Sequence, residues 1–194
     1  MSLRKTLEEL DRAYHDRKVV LVDDDDNEVG VAGLVEAHRD PGKKHRAFSL
    51  QLYRKVGGKV ELLLQKRAEA KPVFPYYWAN TCCYNMAPGE EYLARAASRV
   101  KEEMGVNLAA GQLRALYRFS YYAPDIEGWC ENELDTVIVG RYDGAVNPDS
   151  AEAAEYRWKE WGELKAEITK NPEVYAPWFR MIVMNARFAR ALGE

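Results

Sequence analysis

The sequence predicts an α+β domain, on three observations. Short apolar runs with the alternation typical of strands recur along most of the 194 residues. One strongly amphipathic helical segment, Glu90 to Met104, interrupts them, and two further helical segments close the chain. A chain of this length can bury one ordinary hydrophobic core, and we therefore predict a single domain over residues 1–194.

The composition argues against several classes of function. The 28 basic and 31 acidic residues are mixed along the chain and leave a net charge of −3, so nucleic acid has no basic footprint to bind. No apolar run is long enough to span a bilayer, and residues 1–18 are too charged for a signal peptide. Three cysteines make a poor disulfide framework and favour reduced thiols. We expect a cytoplasmic protein that binds neither nucleic acid nor membrane, and the sequence favours no particular oligomeric state.

The chain begins with a predicted helical extension. Apolar residues at helical spacing between Leu3 and Tyr14 predict this extension over residues 1–18. Val19 to Val22 is typical of a short strand, and the acidic run after it predicts a polar hairpin turn.

Two histidines, His38 and His45, lie on either side of a Pro41-Gly42 turn. We predict a strand before the turn and a second strand from His45 to Arg54, which could fold the two imidazoles towards each other. Two unrelated surface histidines are the alternative, because the spacing alone favours neither interpretation.

The next predicted hairpin carries basic residues at its exit. Gly57-Gly58 turns the chain into the strand Val60 to Leu64, and Arg67 and Lys71 follow. These two side chains could clamp a phosphate, although basic residues after a strand are usually surface residues. The aromatic, proline-containing segment Pro72 to Trp78 is typical of a stretch that lines a pocket or packs under a lid.

The central helix follows a stretch with two adjacent cysteines. Cys83 precedes the helix, and Gly105 is placed to end it. Glu102 and Glu103 fall in the last turn, where acids oppose the helix dipole and need solvent or a cation. Both a bound metal ion and an ordinary solvated face are compatible with this pattern.

The most informative strand is predicted from Trp129 to Tyr142. Glu131, Glu133 and Asp135 alternate along it and therefore share one face. Like charges this close raise one another's pKa or require a cation, as in a metal site or a general acid/base. An edge strand that exposes its acids is the alternative.

The chain ends with a predicted strand, Glu155 to Trp161, and two predicted helices. The helices cover Gly162 to Lys170 and about Pro177 to Leu192, the second within a C-terminal helical region, 175–194. Trp178 could pack in the core there, or it could offer an aromatic face to a cation.

Taken together, these residues resemble the type I isopentenyl-diphosphate isomerases of the Nudix superfamily. The resemblance covers approximately Val19 to Val183 and implies a Nudix fold, a mixed β-sheet sandwiched between helices. It also implies an isomerase that moves a double bond within a five-carbon prenyl diphosphate. The matching positions are His38, His45, Arg67, Trp78-Ala79-Asn80-Thr81-Cys82-Cys83, Glu102-Glu103-Met104-Gly105-Val106, Glu131-Asn132-Glu133 and Pro177-Trp178.

The resemblance further implies a role for each site residue. Cys83 and Glu133 are the expected proton-transfer pair. Tyr121 would hydrogen-bond near the glutamate, and Trp178 would stabilise a carbocation. The expected substrate-binding residues are Arg67, Lys71 and Arg99.

Two metal ions are implied as cofactors. A divalent ion, Mn²⁺ or Zn²⁺, would be bound by histidines and glutamates, and Mg²⁺ would join the diphosphate to Glu103. Asn85 replaces a histidine of the family, and its amide oxygen is a weaker ligand than imidazole for a transition metal. The residues of the first metal site are His38, His45, Asn85, Glu131 and Glu133.

Two other functions remain as alternatives. A Nudix pyrophosphohydrolase would act on a small diphosphate, but Tyr84 and Arg99 replace a glycine and a metal-binding glutamate of its sequence motif. A cation at that glutamate position harms metal-assisted hydrolysis and suits binding of an intact diphosphate. A binding module with a pocket but no turnover is the other alternative.

Overall fold

The structure, a computed structural model, describes residues 7–193. The start of the predicted N-terminal extension, including Leu3, lies outside these residues, and so does residue 194. The described part of the extension contains one helix, Leu7–Tyr14. No helix within residues 7–193 combines the length and the apolar character required to cross a bilayer.

A mixed sheet of nine strands runs through the described chain. Its strands are β1 (Lys18–Val22), β2 (Glu28–Gly33), β3 (His45–Val56), β4 (Lys59–Arg67), β5 (Trp78–Ala79), β6 (Cys82–Asn85), β7 (Leu113–Pro124), β8 (Cys130–Arg141) and β9 (Ala153–Glu160). β3 is parallel to β8 along one edge. Along its other edge, β3 pairs antiparallel with β1, then β6, then β4. This central strand therefore pairs with four of the other eight strands of the described chain.

Helices cover both faces of the sheet. They are α1 (Leu7–Tyr14), α2 (Leu34–Ala37), α3 (Tyr92–Met104), α4 (Trp161–Lys170), α5 (Pro177–Val183) and α6 (Ala186–Leu192). Ile138 of β8 shares a hydrophobic core with Val100 of α3, whereas Val137 shares another core with Phe179 of α5. Because neighbouring side chains of a strand point to opposite faces, α3 lies on one face and α5 on the other. The predicted mixed sheet between helices is confirmed.

The central helix closely matches its prediction. It ends at Met104, and Gly105 follows in the left-handed conformation with φ of 65°. It begins at Tyr92 rather than Glu90, because Glu91 is extended and occupies the cap position. The strands predicted around it differ from the observed ones by only a few residues at their ends.

The strand predicted before the Pro41-Gly42 turn is wrong. The chain forms α2 instead, and His38 caps the C-terminal end of that helix. Gly42 has φ of 67°, and a Cβ there would lie 2.6 Å from Cys130 Sγ. Only glycine therefore lets this turn pack against β8. The sequence does not predict α2, because four residues are too few to show helical periodicity.

The single helix predicted from Pro177 to Leu192 is also wrong, because the chain forms α5 and α6. Asn185 is extended between them, with φ of −82° and ψ of 125°. Its side chain accepts a hydrogen bond from Arg187 N at 2.8 Å and so caps the start of α6.

Candidate active site

A pocket beside β6 and β8 gathers most of the residues that the sequence singled out. Its empty space is about 660 Å³ when the open solvent at its mouth is included. The expected site residues that line it are His38, Arg67, Lys71, Cys83, Asn85, Arg99, Tyr121, Glu131, Glu133 and Trp178. His45 and Glu103 lie behind its wall and are 0% and 1% exposed.

Strand register brings the chemically active side chains together. His45 of β3 is opposite Glu133 in the parallel pair with β8. Tyr121 of β7 is opposite the same glutamate in the antiparallel pair. On the other edge of β3, Cys83 of β6 is opposite Ser49. The sheet thus assembles groups that lie far apart in the sequence.

His38 and His45 present the same ring nitrogen to the interior of the site. Their Nδ1 atoms lie 2.7 Å from Leu34 O and 2.8 Å from Lys43 O. A backbone carbonyl can only accept, so each Nδ1 carries a proton and each Nε2 keeps a lone pair. The ring centres are 4.6 Å apart. Backbone carbonyls orient metal-binding imidazoles in this way.

These histidines, Glu131 and Glu133 form a buried cluster whose possible ligand atoms all lie within 4.8 Å of one another. His38 Nε2 is 3.1 Å from Glu131 Oε2. Two acceptors at that distance repel each other unless a proton or a cation lies between them. Burial lowers the pKa of His38, but the charge of Glu131 and the hydrogen bonds to Glu131 and Leu34 O together outweigh burial, so the pKa is raised. Two imidazoles and two carboxylates that demand positive charge fit a divalent metal ion.

Asn85 occupies the side of this cluster nearest His45. Its Nδ2 donates to Glu133 Oε1 at 2.7 Å and lies 3.1 Å from His45 Nε2. The amide N–H groups therefore point to Glu133 Oε1 and His45 Nε2, two atoms whose lone pairs could otherwise bind a metal ion. Asn85 is neutral, so it offers the cluster an N–H donor but not the positive charge that the cluster requires.

Glu133 has the properties of a proton-transfer group. Burial, followed by the charge of Glu131, raises its pKa above the usual value. Tyr121 OH donates to Glu133 Oε2 at 2.6 Å, and this bond favours the carboxylate form. A buried carboxyl group whose pKa is raised, and whose carboxylate form also has a hydrogen-bond donor, can act as a proton donor or a proton acceptor.

Cys83 keeps its proton at neutral pH. Burial, followed by the charge of Asp135, raises the pKa of the thiol to about 12. The thiol donates to Asn80 Oδ1 at 3.1 Å and lies 3.5 Å from Ser49 Oγ. The half-buried cysteine therefore offers the pocket a neutral thiol rather than a reactive thiolate.

Asn80 joins this thiol to Trp178. Its Oδ1 also accepts from Trp178 Nε1 at 2.9 Å. Its Nδ2 donates to Leu50 O and Cys82 O at 3.2 and 2.7 Å, which fixes the amide. All polar atoms of Asn80 are thus engaged in holding Cys83 and the indole in place.

An aromatic wall surrounds Trp178. The indole is 2% exposed, and its ring centre lies 5.5 Å from that of Phe74 and 6.1 Å from that of Tyr121. The Arg67 guanidinium lies 5.3 Å from the indole centre and donates to Val73 O and Phe74 O. Arg67 therefore stabilises the aromatic segment as well as lining the pocket.

The basic end of the pocket is neutralised by two glutamates. Lys71 and Arg99 each form ion pairs with both Glu103 and Glu152. Burial disfavours the charge of Arg99, but the two carboxylates outweigh burial and its pKa is raised. Gln65 Nε2 also donates to Glu103 at 2.8 Å. Glu103 is thus surrounded by donors and is held behind Lys71 and Arg99.

Sequence reasoning assigned no site role to several residues in or beside the pocket. Asn80 is buried next to the Cys83 thiol, and Arg17 and Glu152 line the wall. Asp135 shares the buried face of β8, where burial and then Glu133 raise its pKa well above the usual value. Its place in the alternating acid pattern signalled Asp135, whereas the three others are recognisable only once distant segments pack together.

The chain is similar to a known family and to curated proteins over most of its length. The family profile described as NUDIX domain matches residues 43–180. An isopentenyl-diphosphate Delta-isomerase of Nocardia farcinica is 45% identical over 179 residues, 91% of this chain and 99% of that protein. Isopentenyl-diphosphate Delta-isomerase 1 of Aromatoleum aromaticum is 37% identical, over 86% of this chain and 90% of that protein.

Solved structures show the same fold at low sequence identity. The Deinococcus radiodurans protein DR0079 aligns with a TM-score of 0.69 at 20% identity, over 92% of this chain and 100% of that one. The MutT protein of Methanosarcina mazei aligns with a TM-score of 0.60 at 18% identity, over 78% of this chain and 96% of that one.

Proposed function

The chain belongs to the NUDIX family and, within it, to the isopentenyl-diphosphate Delta-isomerases, and we propose that it interconverts isopentenyl and dimethylallyl diphosphate. The reaction adds a proton to the terminal alkene carbon and removes one from the carbon on the far side of the cation. Two proton-transfer groups are therefore required. The observation that carries the proposal is one pocket lined by both Cys83 and Glu133.

Each group of the proposed pair has a defined neighbour. Asn80 accepts from the Cys83 thiol, while Tyr121 donates to Glu133. One member of the pair gives its proton to the alkene and the other takes a proton from the cation, so the proton count is unchanged. The reverse reaction exchanges the two roles. Trp178 would stabilise the tertiary cation through its ring face, because tryptophan binds cations best among the side chains.

The proposed metal site comprises His38, His45, Glu131 and Glu133, with Asn85 beside them. Family membership and this donor set support a divalent ion, and we infer Mn²⁺ or Zn²⁺ because the set contains two imidazoles. A bound ion would supply a fixed positive charge next to Glu133. The two Nδ1 bonds to backbone carbonyls would keep the imidazoles in the tautomer that can bind it.

Lys71, Arg99 and Arg67 would bind the diphosphate. An incoming diphosphate offers Lys71 and Arg99 another anion, which would release Glu103 from its ion pairs. Glu103 would then be free to hold Mg²⁺, which would supply positive charge for the diphosphate, since Mg²⁺ prefers carboxylate and phosphate oxygens.

The three free thiols among the described residues support a cytoplasmic location.

The test is to incubate the protein with isopentenyl diphosphate, Mg²⁺ and Mn²⁺ in deuterated water. Deuterium in dimethylallyl diphosphate supports the isomerase, because the added proton comes from solvent through the pair. Released phosphate or monophosphate would instead indicate a pyrophosphohydrolase. Binding of the diphosphate without either product would indicate a binding module.

Two variants test the pair itself. Cys83→Ala and Glu133→Gln should each abolish label incorporation while far-UV circular dichroism and thermal unfolding remain close to wild type. Cys82→Ala is the matched control, since Cys82 is buried in the core on the other side of β6. Full turnover in Cys83→Ala or Glu133→Gln would refute the assignment.

A further inference from the structure

Three arginines lie close to the ring of Tyr84, which follows the proposed proton-transfer cysteine on β6. The guanidinium carbons of Arg17, Arg95 and Arg99 lie 4.8, 4.1 and 5.9 Å from its centre. Tyr84 and two of these arginines, Arg17 and Arg99, line the pocket. Arg17 therefore reaches the basic end of the pocket from the N-terminal segment, where sequence reasoning expected no site residue.

The backbone fixes where Arg17 lies. Its N–H donates to Tyr14 O at 2.9 Å, and its carbonyl accepts from Leu34 N at 2.9 Å. These bonds hold the residue between the end of α1 and the start of β1, beside the end of β2. Its half-buried side chain is therefore directed to the pocket by paired backbone rather than by a free terminus.

The other cations of the pocket are already engaged. Lys71 and Arg99 are ion-paired with Glu103 and Glu152. Arg67 donates to two backbone carbonyls. Among the side chains that the structure describes, by contrast, no carboxylate is seen to form an ion pair with Arg17, which contacts the rings of Tyr14 and Tyr84.

We propose that Arg17 is a substrate-binding residue that contacts the diphosphate of the ligand. A guanidinium that lies over an aromatic ring keeps its N–H donors, because they lie in the guanidinium plane. Such a group is ready to form a charge-assisted hydrogen bond without first breaking an ion pair. Arg17 thereby supplies uncompensated positive charge to a site whose Lys71 and Arg99 face two glutamates. The inference rests on the proposed function only in taking a diphosphate as the ligand.

The experiment measures binding of inorganic pyrophosphate by calorimetry, with and without Mg²⁺, to the full chain. Arg17→Gln should lower the affinity about tenfold, the usual effect of losing one charge-assisted hydrogen bond. Arg17→Lys should lower it less, because it keeps the charge but loses the planar fork. Lys18→Gln is the matched control: it removes the same charge one residue away, from an exposed side chain that does not line the pocket.

A second readout separates this inference from the isomerase assignment. With isopentenyl diphosphate, Arg17→Gln should raise KM and leave kcat within a few-fold. If the wild type binds pyrophosphate but shows no isomerisation, the proposed function fails while the role of Arg17 can still be measured. Equal pyrophosphate affinities for the wild type, Arg17→Gln and Lys18→Gln would overturn the inference, as would equal losses in the two variants.

Discussion

Asn85 shows how one residue can alter a metal site without changing the fold. It satisfies Glu133 Oε1 with an N–H donor at 2.7 Å and lies against the His45 lone pair. An imidazole at the same position would bring a third nitrogen lone pair instead of a donor. The present cluster should therefore bind transition metals more weakly than a three-histidine cluster would.

We predict that Asn85→His raises the affinity for Zn²⁺ at least about tenfold, because it adds a ligand and removes a competing donor. Competition with a metal chelator measures this change. Asn132→His is the control, since Asn132 lies between Glu131 and Glu133 in the sequence and therefore points to the opposite face of β8. An equal gain in both variants would mean that the added imidazole binds metal nonspecifically.

The Cys83 thiol gives a pH-dependent prediction. Burial raises its pKa to about 12 in the folded protein, above the ordinary value for cysteine. The stability that goes with the buried thiol is present below the ordinary pKa. It is lost as the pH rises towards 12, because the unfolded chain ionises first.

Alkylation of Cys83 by iodoacetamide should accordingly stay slow between pH 7 and about pH 10 and accelerate only above that range. Peptide mapping by mass spectrometry assigns the modified cysteine at each pH. The same protein unfolded in urea is the control, because its thiols should titrate near 8.5. Rapid modification of Cys83 at pH 8 in the folded protein would show that the thiol is not held neutral.

The sequence could identify acids, histidines and the cysteine but not the residues that orient them. Glu131, Glu133 and Asp135 are recognisable from the sequence because the side chains of a strand point alternately to its two faces. The burial of their face follows from the apolar second half of the same strand. Asn80 gives no such signal, since its two partners come from different segments. Arg17 also looks like one more charge in a polar segment until the backbone brings it to Tyr84.

Among the helices and strands, the break between α5 and α6 shows what hydrophobic periodicity cannot predict. Phe179, Ile182 and Phe188 continue an apolar helical pattern across Asn185, and all three are buried. The pattern alone favours one helix. Asn185 was the available signal, because asparagine is among the preferred residues at a helix N-cap.

We predict that Asn185→Ala lowers the free energy of unfolding by about 1 kcal/mol, since the first turn of α6 loses its side-chain cap. Urea unfolding followed by circular dichroism measures the loss. Asn171→Ala is the control: Asn171 lies between α4 and the next helical turn, and its side chain caps neither. Similar losses in the two variants would exclude capping as the cause.

On the scale of the whole molecule, the basic end of the pocket joins three separate parts of the chain. Lys71 follows β4, Arg99 belongs to α3, and Glu152 precedes β9. Together with Glu103 they carry two positive and two negative charges. A diphosphate must therefore displace carboxylates or arrive with a cation.

We predict that Glu152→Gln strengthens binding of pyrophosphate about tenfold in the presence of a chelator, because it frees Lys71 and Arg99 from a competing anion. The difference between chelator and Mg²⁺ conditions should shrink in the variant. Calorimetry measures both affinities. Glu155→Gln is the control, since Glu155 pairs with Lys66 outside the pocket. Unchanged or weaker binding in Glu152→Gln would contradict this account.

The layers of the fold are easier to predict from the sequence than the pairing of its strands. The α3 helix, the β3 and β4 hairpin and the acidic strand were all recognisable from periodicity and turn residues. The pairing of β3 with β8 was not, because parallel partners far apart in the chain leave no local signal. That pairing places His45 opposite Glu133, a proximity that the family resemblance implied but that no local pattern of the sequence predicts.

The register of β8 has a further consequence for how such a gene can change. Glu133 of β8 lies opposite Tyr121 on one neighbouring strand and opposite His45 on the other. The acids of β8 stay on this face because they occur at every second residue. Inserting or deleting one codon between Glu131 and Asp135 would move some of these acids to the other face of the sheet. We therefore expect β8 to diverge by substitution and changes of length to be confined to the loops.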